Sequence, residues 1–159
     1  MNSNDAFARE IIAQIFGDHT LIPSDMPQAP VLAQYVAAVT PGFAPLLAGH
    51  GVPTLGEELA HLLSTIELYL EAVAPGQVTP RKWHAAILEG TVYGYFEQLR
   101  HEADQAVNHI QLEREINFEW LNRPAKAIKI LWHLADHTAH HRGRLAVMMR
   151  MCGIEPPGL

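Results

Sequence analysis

The sequence has a single cysteine, Cys152, so no disulfide can form within the chain and the fold must rest on packing. That fits a reducing, cytoplasmic setting. Basic runs are missing as well. Lysine and arginine number 11 against 17 acidic residues, a formal net charge of −6 that argues against nucleic-acid binding through a phosphate-neutralising patch. No apolar run approaches the roughly 20 residues a membrane span needs, and MNSNDAFAREIIAQIF lacks the basic-then-apolar order of a signal peptide. Strand signals are also absent: no β-branched alternation and no Asn-Gly hairpin pair. These absences point to an all-α chain with neither nucleic acid nor membrane as partner.

Apolar content and histidine are what the chain has in plenty. With 159 residues, 48% hydrophobic and 18% charged, one domain over residues 1–159 has interior enough for a core. Ten histidines are spread along the chain rather than contiguous, which rules out a tag.

Helical spacing of apolar residues divides the chain. Phe7, Ile11, Ile12 and Ile15 predict a short helix from Asp5 to Phe16, with Asn4 or Asp5 as N-cap and Gly17 as its end. The stretch LIPSDMPQAP reads as a loop, Ala29 to Val39 as a second helix, and Phe43 to Leu47 as a further turn. Thr54 and Glu57 have the spacing of a capping box, ahead of the stripe Leu55, Leu59, Leu62, Leu63, Ile66, Leu70 and Val73 that Pro75-Gly76 stops. Pro80 to Ile110 reads as one long helix with proline at its first position, and LEREINFEWLNR as a loop with Phe118 and Trp120 against the core. The last helix should start at Pro124 and end before Gly153, a left-handed C-cap followed by Pro156-Pro157. The architecture expected is a four-helix bundle with an added short N-terminal helix or a broken first helix.

The last helix carries the motif HLADHTAHHRGRL. His137 and His141 are four apart and stack on one face, so the two imidazoles can grip one metal ion. At about 100° per residue, Ile128, Leu131, Ala135, Leu145 and Met149 form the buried stripe and the pair lies on its flank beside Ile130, Leu134 and Met148. His133 continues that ridge and His140 points further out. A third ligand must come from another helix. His61 is the candidate, although its own stripe faces away and it shares a side with Thr65, Leu68 and Ala72. It is either exposed or on a second face lining a cleft, and its uncharged neighbours favour the cleft. Arg142 falls inside the apolar stripe, where a guanidinium needs a carboxylate such as Glu57 or Glu58, or else a substrate or anion to contact. Gly143 suggests close backbone approach, because mid-helix glycine costs about 1 kcal/mol against alanine.

HLADHTAHHRGRLAVMMRMCGIEPP resembles the C-terminal helix of the DinB/YfiT-like metalloenzymes, which typically end H-x-x-H-H-R-G-Q and then G-x-x-P-P, and TLGEELAHLL resembles their second helix. The likeness runs from Thr54 to Pro157, with a looser match before it. It implies a single DinB-like four-helix bundle holding a divalent metal through His61, His137 and His141, and it turns His61 toward the cleft. Arg144 departs from the family's usual glutamine and leaves substrate details open. Three imidazoles suit Zn, Ni or Fe without choosing among them. The resemblance further implies thiol-dependent S-transferase chemistry on a small molecule, with a low-molecular-weight thiol as cofactor, and a homodimer.

Two rival chemistries fail on arrangement. A di-iron carboxylate bundle needs a second copy of Glu58-x-x-His61 and two more inward glutamates, and a hemerythrin-like carrier meets the same shortage. A metal-dependent hydrolase and a non-catalytic metal-binding stress or scaffold protein stay as alternatives. Cys152 sits several turns from His137 and is not taken as the nucleophile.

Overall fold

The apolar stripes read from the sequence close on one another. The computed structural model describes residues 3–16, 55–151 and 155–156. Five α-helices occur among them: α1 (Ser3–Phe16), α2 (Leu55–Val73), α3 (Trp83–Glu89), α4 (Val92–Ala106) and α5 (Ala127–Met151). Four of these pack in a ring, α1 against α5, α5 against α2, α2 against α4, and α4 back against α1. The described residues are all-α apart from one small hairpin, and the short N-terminal helix expected from the sequence is itself a wall of the bundle. The helix foreseen at 29–39, the turn at 43–47, Thr54 of the capping box and the C-cap at Gly153 lie outside the described residues.

The interior is one apolar cluster. Ile11 and Ile15 of α1 meet Leu62, Leu63, Ile66 and Leu70 of α2, Phe96 and Leu99 of α4, and Ile130, Leu131 and Leu134 of α5. Phe7 meets Trp132 edge-on at 5.9 Å, joining α1 to α5, and Phe16 lies 5.8 Å from Phe96, joining α1 to α4. On α2 burial extends beyond the stripe, to Glu58, Thr65, Glu67 and Tyr69. One helix therefore serves both the core and a polar second face.

Helix α2 stops for reasons of hydrogen bonding. The Arg114 guanidinium donates to the carbonyls of Ala72 and Val73, satisfying acceptors that a helix end leaves open. Gly76 takes a φ of 74° and donates its N–H to the Glu71 carboxylate.

The single helix expected over Pro80–Ile110 is broken in two. Gly90 adopts a left-handed conformation, φ 81°, and caps α3 through Ala86, so Val92 starts a new helix. Pro80 is not its first residue either, because residues 79–82 are held in place by carboxylates. Thr79 N–H donates to Glu102 Oε2 and Arg81 N–H to Glu67 Oε2, while the buried Arg81 guanidinium reaches Glu67 and Glu102, both at 2.9 Å. The last turn of α4 runs into a 3₁₀ turn, Val107–His109.

The segment read as a loop is a hairpin. Strand β1 (Glu115–Phe118) pairs antiparallel with β2 (Arg123–Lys126), with Phe118 opposite Arg123. A 3₁₀ turn at Glu119–Leu121 and a left-handed Asn122, φ 52°, close it, so the turn signal is a lone Asn and not Asn-Gly. Pro124 belongs to β2, on a two-stranded sheet where its missing N–H is tolerated, and α5 begins at Ala127 instead. Ala127 and Ile128 N–H donate to Arg114 and Leu112 carbonyls, which seats the start of α5. Phe118 is buried as expected, whereas Trp120 is exposed.

Candidate metal centre

Packing of α5 against α2 brings three histidine rings together at the edge of the core. His137 and His141 have centroids 4.3 Å apart, one turn from each other on α5. His61 comes across from α2, 4.8 Å from His141 and 5.7 Å from His137. One ring nitrogen from each lies within 4.8 Å of the other two. Burial is graded: His141 is buried, His137 half-buried and His61 exposed. His61 is thus exposed, the first of the two readings its helix position allowed, and it still faces the two histidines of α5.

The α5 stripe is rotated relative to the sequence reading. Ile130 and Leu134, expected on the flank, are fully buried, whereas Ile128 and Ala135 are only partly so. That rotation carries His141 into the interior and turns Arg142 outward. Arg142 is partly exposed rather than buried. Gly143 also differs from expectation, since a Cβ there would meet nothing within 4 Å and no close backbone approach exists.

Glu58, one of the two carboxylates offered for Arg142, pairs with His141 instead. Its side chain is buried, and Oε1 accepts a hydrogen bond from His141 Nδ1 at 2.5 Å. Arg144 Nε stands 3.4 Å from the same oxygen and partly offsets this buried charge. The available signal was the Glu58-x-x-His61 spacing, which puts both side chains on one face of α2. With Nδ1 of His141 engaged, its Nε2 lone pair is the free one, an arrangement typical of metal-binding histidines.

Burial disfavours a charge on two of the three rings, His137 and His61. Burial lowers the His137 pKa to about 4, and neighbouring His141, His61, His133 and His140 push the same way. His61 is also lowered, first by burial and then by His141, with Glu58 opposing. Neutral imidazole is the form that ligates metal. His137 Nε2 is buried and has no hydrogen-bond partner among the described residues, an unmet need that an ion would satisfy. A tetrahedral ion bonded at about 2.0–2.1 Å to each ring would set the nitrogens roughly 3.3 Å apart, so small side-chain rotations close the present spacing. The donor set fits a divalent ion.

The other two histidines of the motif stand outside this group. His133 is exposed and hydrogen-bonded through Nδ1 to the Tyr69 hydroxyl at 2.7 Å, and exposed His140 lies 5.2 Å from His141.

The DinB family model matches residues 28–159 of this sequence. The chain belongs to the DinB family. No curated protein and no solved structure matches it. The DinB match spans α2 through α5, and hence His61, His137 and His141, while α1 lies outside it.

Proposed function

We propose that this DinB chain is a divalent-metal-dependent enzyme in which His61, His137 and His141 hold the ion, acting on a small molecule by transfer to a low-molecular-weight thiol. The convergence of three imidazoles, one exposed, one half-buried and one buried, carries this reading. Bound there, Zn, Ni or Fe supplies Lewis acidity that lowers the pKa of a thiol or water and polarises a substrate oxygen. His141 is oriented by Glu58, and His137 offers a nitrogen with no other partner. The exposed His61 side leaves an approach for substrate, and Arg142, partly exposed next to His141, is a candidate contact for an anionic substrate group.

Elemental analysis of untagged protein, purified without added metal, tests the centre. Wild type should carry stoichiometric divalent metal, and His137→Ala should lose it while keeping its helical circular dichroism. Full occupancy in that variant would overturn the assignment. A screen of small thiols against electrophiles then tests the chemistry. Retained metal with no conjugate or hydrolysis product would leave a metal-binding protein without catalysis. A cytoplasmic homodimer is the setting this reading assumes, and sedimentation equilibrium tests the dimer.

A further inference from the structure

Beside the three-histidine centre lies a second pair that it does not use. Tyr69 on α2 has no exposed surface, and its hydroxyl is 2.7 Å from Nδ1 of His133 on α5. The two rings lie parallel, 5.6 Å apart with planes 5° from each other, and Phe118 packs edge-on against Tyr69 at 4.5 Å. His133 in turn stacks on His137, one helical turn along, at 6.2 Å. The hairpin, α2 and α5 together leave the tyrosine little freedom.

Two proton arrangements fit a hydroxyl next to a ring nitrogen. Were Nδ1–H the donor, the phenol proton would need another acceptor, and the Tyr69 hydroxyl has no other partner among the described residues. A buried donor without a partner is costly. With the phenol donating to Nδ1, both groups are satisfied and the imidazole carries its proton on Nε2. Burial pushes the Tyr69 pKa up, so the hydroxyl keeps its proton. His133 itself is exposed, and no partner for its Nε2 occurs among the described residues.

We propose that His133 is a substrate-binding residue of this centre, presenting Nε2–H to an acceptor oxygen of the substrate, with Tyr69 as the positioning residue that fixes its tautomer. The substrate class is therefore an electrophile bearing a carbonyl, carboxylate or similar acceptor beside its reacting atom. The substrate role rests on reading His61, His137 and His141 as a metal site; the tautomer does not. His133 is not a fourth ligand, because Tyr69 occupies Nδ1 and a protonated Nε2 has no lone pair to give.

Long-range proton–nitrogen correlation spectra of the metal-free, ¹⁵N-labelled protein at mildly alkaline pH read the tautomer directly. Wild type should show His133 protonated at Nε2, and Tyr69→Phe should give a mixture of tautomers. Protonation at Nδ1 in wild type would overturn the pair's arrangement. Zinc-loaded protein is then titrated with acetohydroxamic acid, a carbonyl-bearing metal ligand, by calorimetry. His133→Leu should bind the same amount of zinc as wild type but hold the hydroxamate roughly three- to tenfold more weakly, the size of one neutral hydrogen bond. His133→Gln, which keeps a donor, should recover part of the loss. Equal hydroxamate affinity in His133→Leu would refute the substrate role, and loss of zinc would make His133 a ligand instead. Failure of wild type to take up zinc, nickel or iron would overturn the metal centre and the substrate role with it, while the tautomer is still decided on the metal-free protein.

Discussion

Glu58 shows how much one buried atom can direct. Its Oε1 accepts from His141 Nδ1, which fixes both the orientation of that ring and the nitrogen it can offer. Loss of such a partner typically lowers metal affinity about 10–100-fold. Glu58→Gln should therefore weaken metal binding by that order, read by competition with a chromophoric chelator, with helical content unchanged; an unaltered affinity would refute the orienting role. His137 sets a pH dependence. Its folded pKa of about 4 lies below the ordinary 6.5, so as pH falls through that window the unfolded chain takes up a proton that the folded chain refuses. The metal-free protein should lose stability as pH drops from about 6.5 toward 4, with the contribution complete at neutral pH. His61 is shifted the same way and adds to the slope. Urea unfolding in the presence of chelator should show a flatter dependence in His137→Asn; identical slopes would mean that the ring is not desolvated.

At the scale of elements, the connection from α2 to α3 depends on charge pairing rather than on proline. Arg81 is buried between Glu67 and Glu102 and fixes residues 79–82, which places Trp83 at the start of α3. Burial raises the Glu67 pKa even though Arg81 hydrogen-bonds to it, evidence of how poorly that site solvates a charge. Removing one member of a buried pair costs about 3–5 kcal/mol. Arg81→Met should approach the lower end, since Glu102 is partly exposed, and chemical denaturation measures it. A loss under 1 kcal/mol, within what an exposed pair contributes, would show that these charges are solvated. The hairpin is the other connection that matters, because Phe118 braces Tyr69 and the strand end seats α5.

For the molecule as a whole, fold and site are separable. The core cluster joins α1, α2, α4 and α5 without the three histidine rings, so removing metal should leave the bundle folded. Metal present at 100 times its dissociation constant stabilises by about 2.7 kcal/mol, or roughly 5–10 °C of Tm for a chain of this size. Chelation should lower Tm by about that much at pH 7 without loss of helical circular dichroism. Collapse of the helical signal on chelation would instead make the ion a structural requirement.

The sequence by itself determined what repeats within one element. Helical spacing defined the stripes of α1 and α2, and the four-residue step put His137 and His141 on one face, since both follow from the fixed turn of a helix. The resemblance in the two histidine motifs, not spacing, drew His61 toward them, and the rings do converge. Only the tertiary structure decided the rotation of α5 about its axis, because that depends on which neighbours fill the interior. A rotation that buries Ile130 and Leu134 brings His141 to Glu58 and leaves Arg142 half in water. The hairpin was hidden for a related reason. Its four-residue strands are held by backbone pairing across a turn with a lone left-handed Asn122, which leaves almost no periodic trace in the side chains. Tyr69 and His133 are 64 positions apart, and a hydrogen bond across that distance exists only once α2 and α5 have packed.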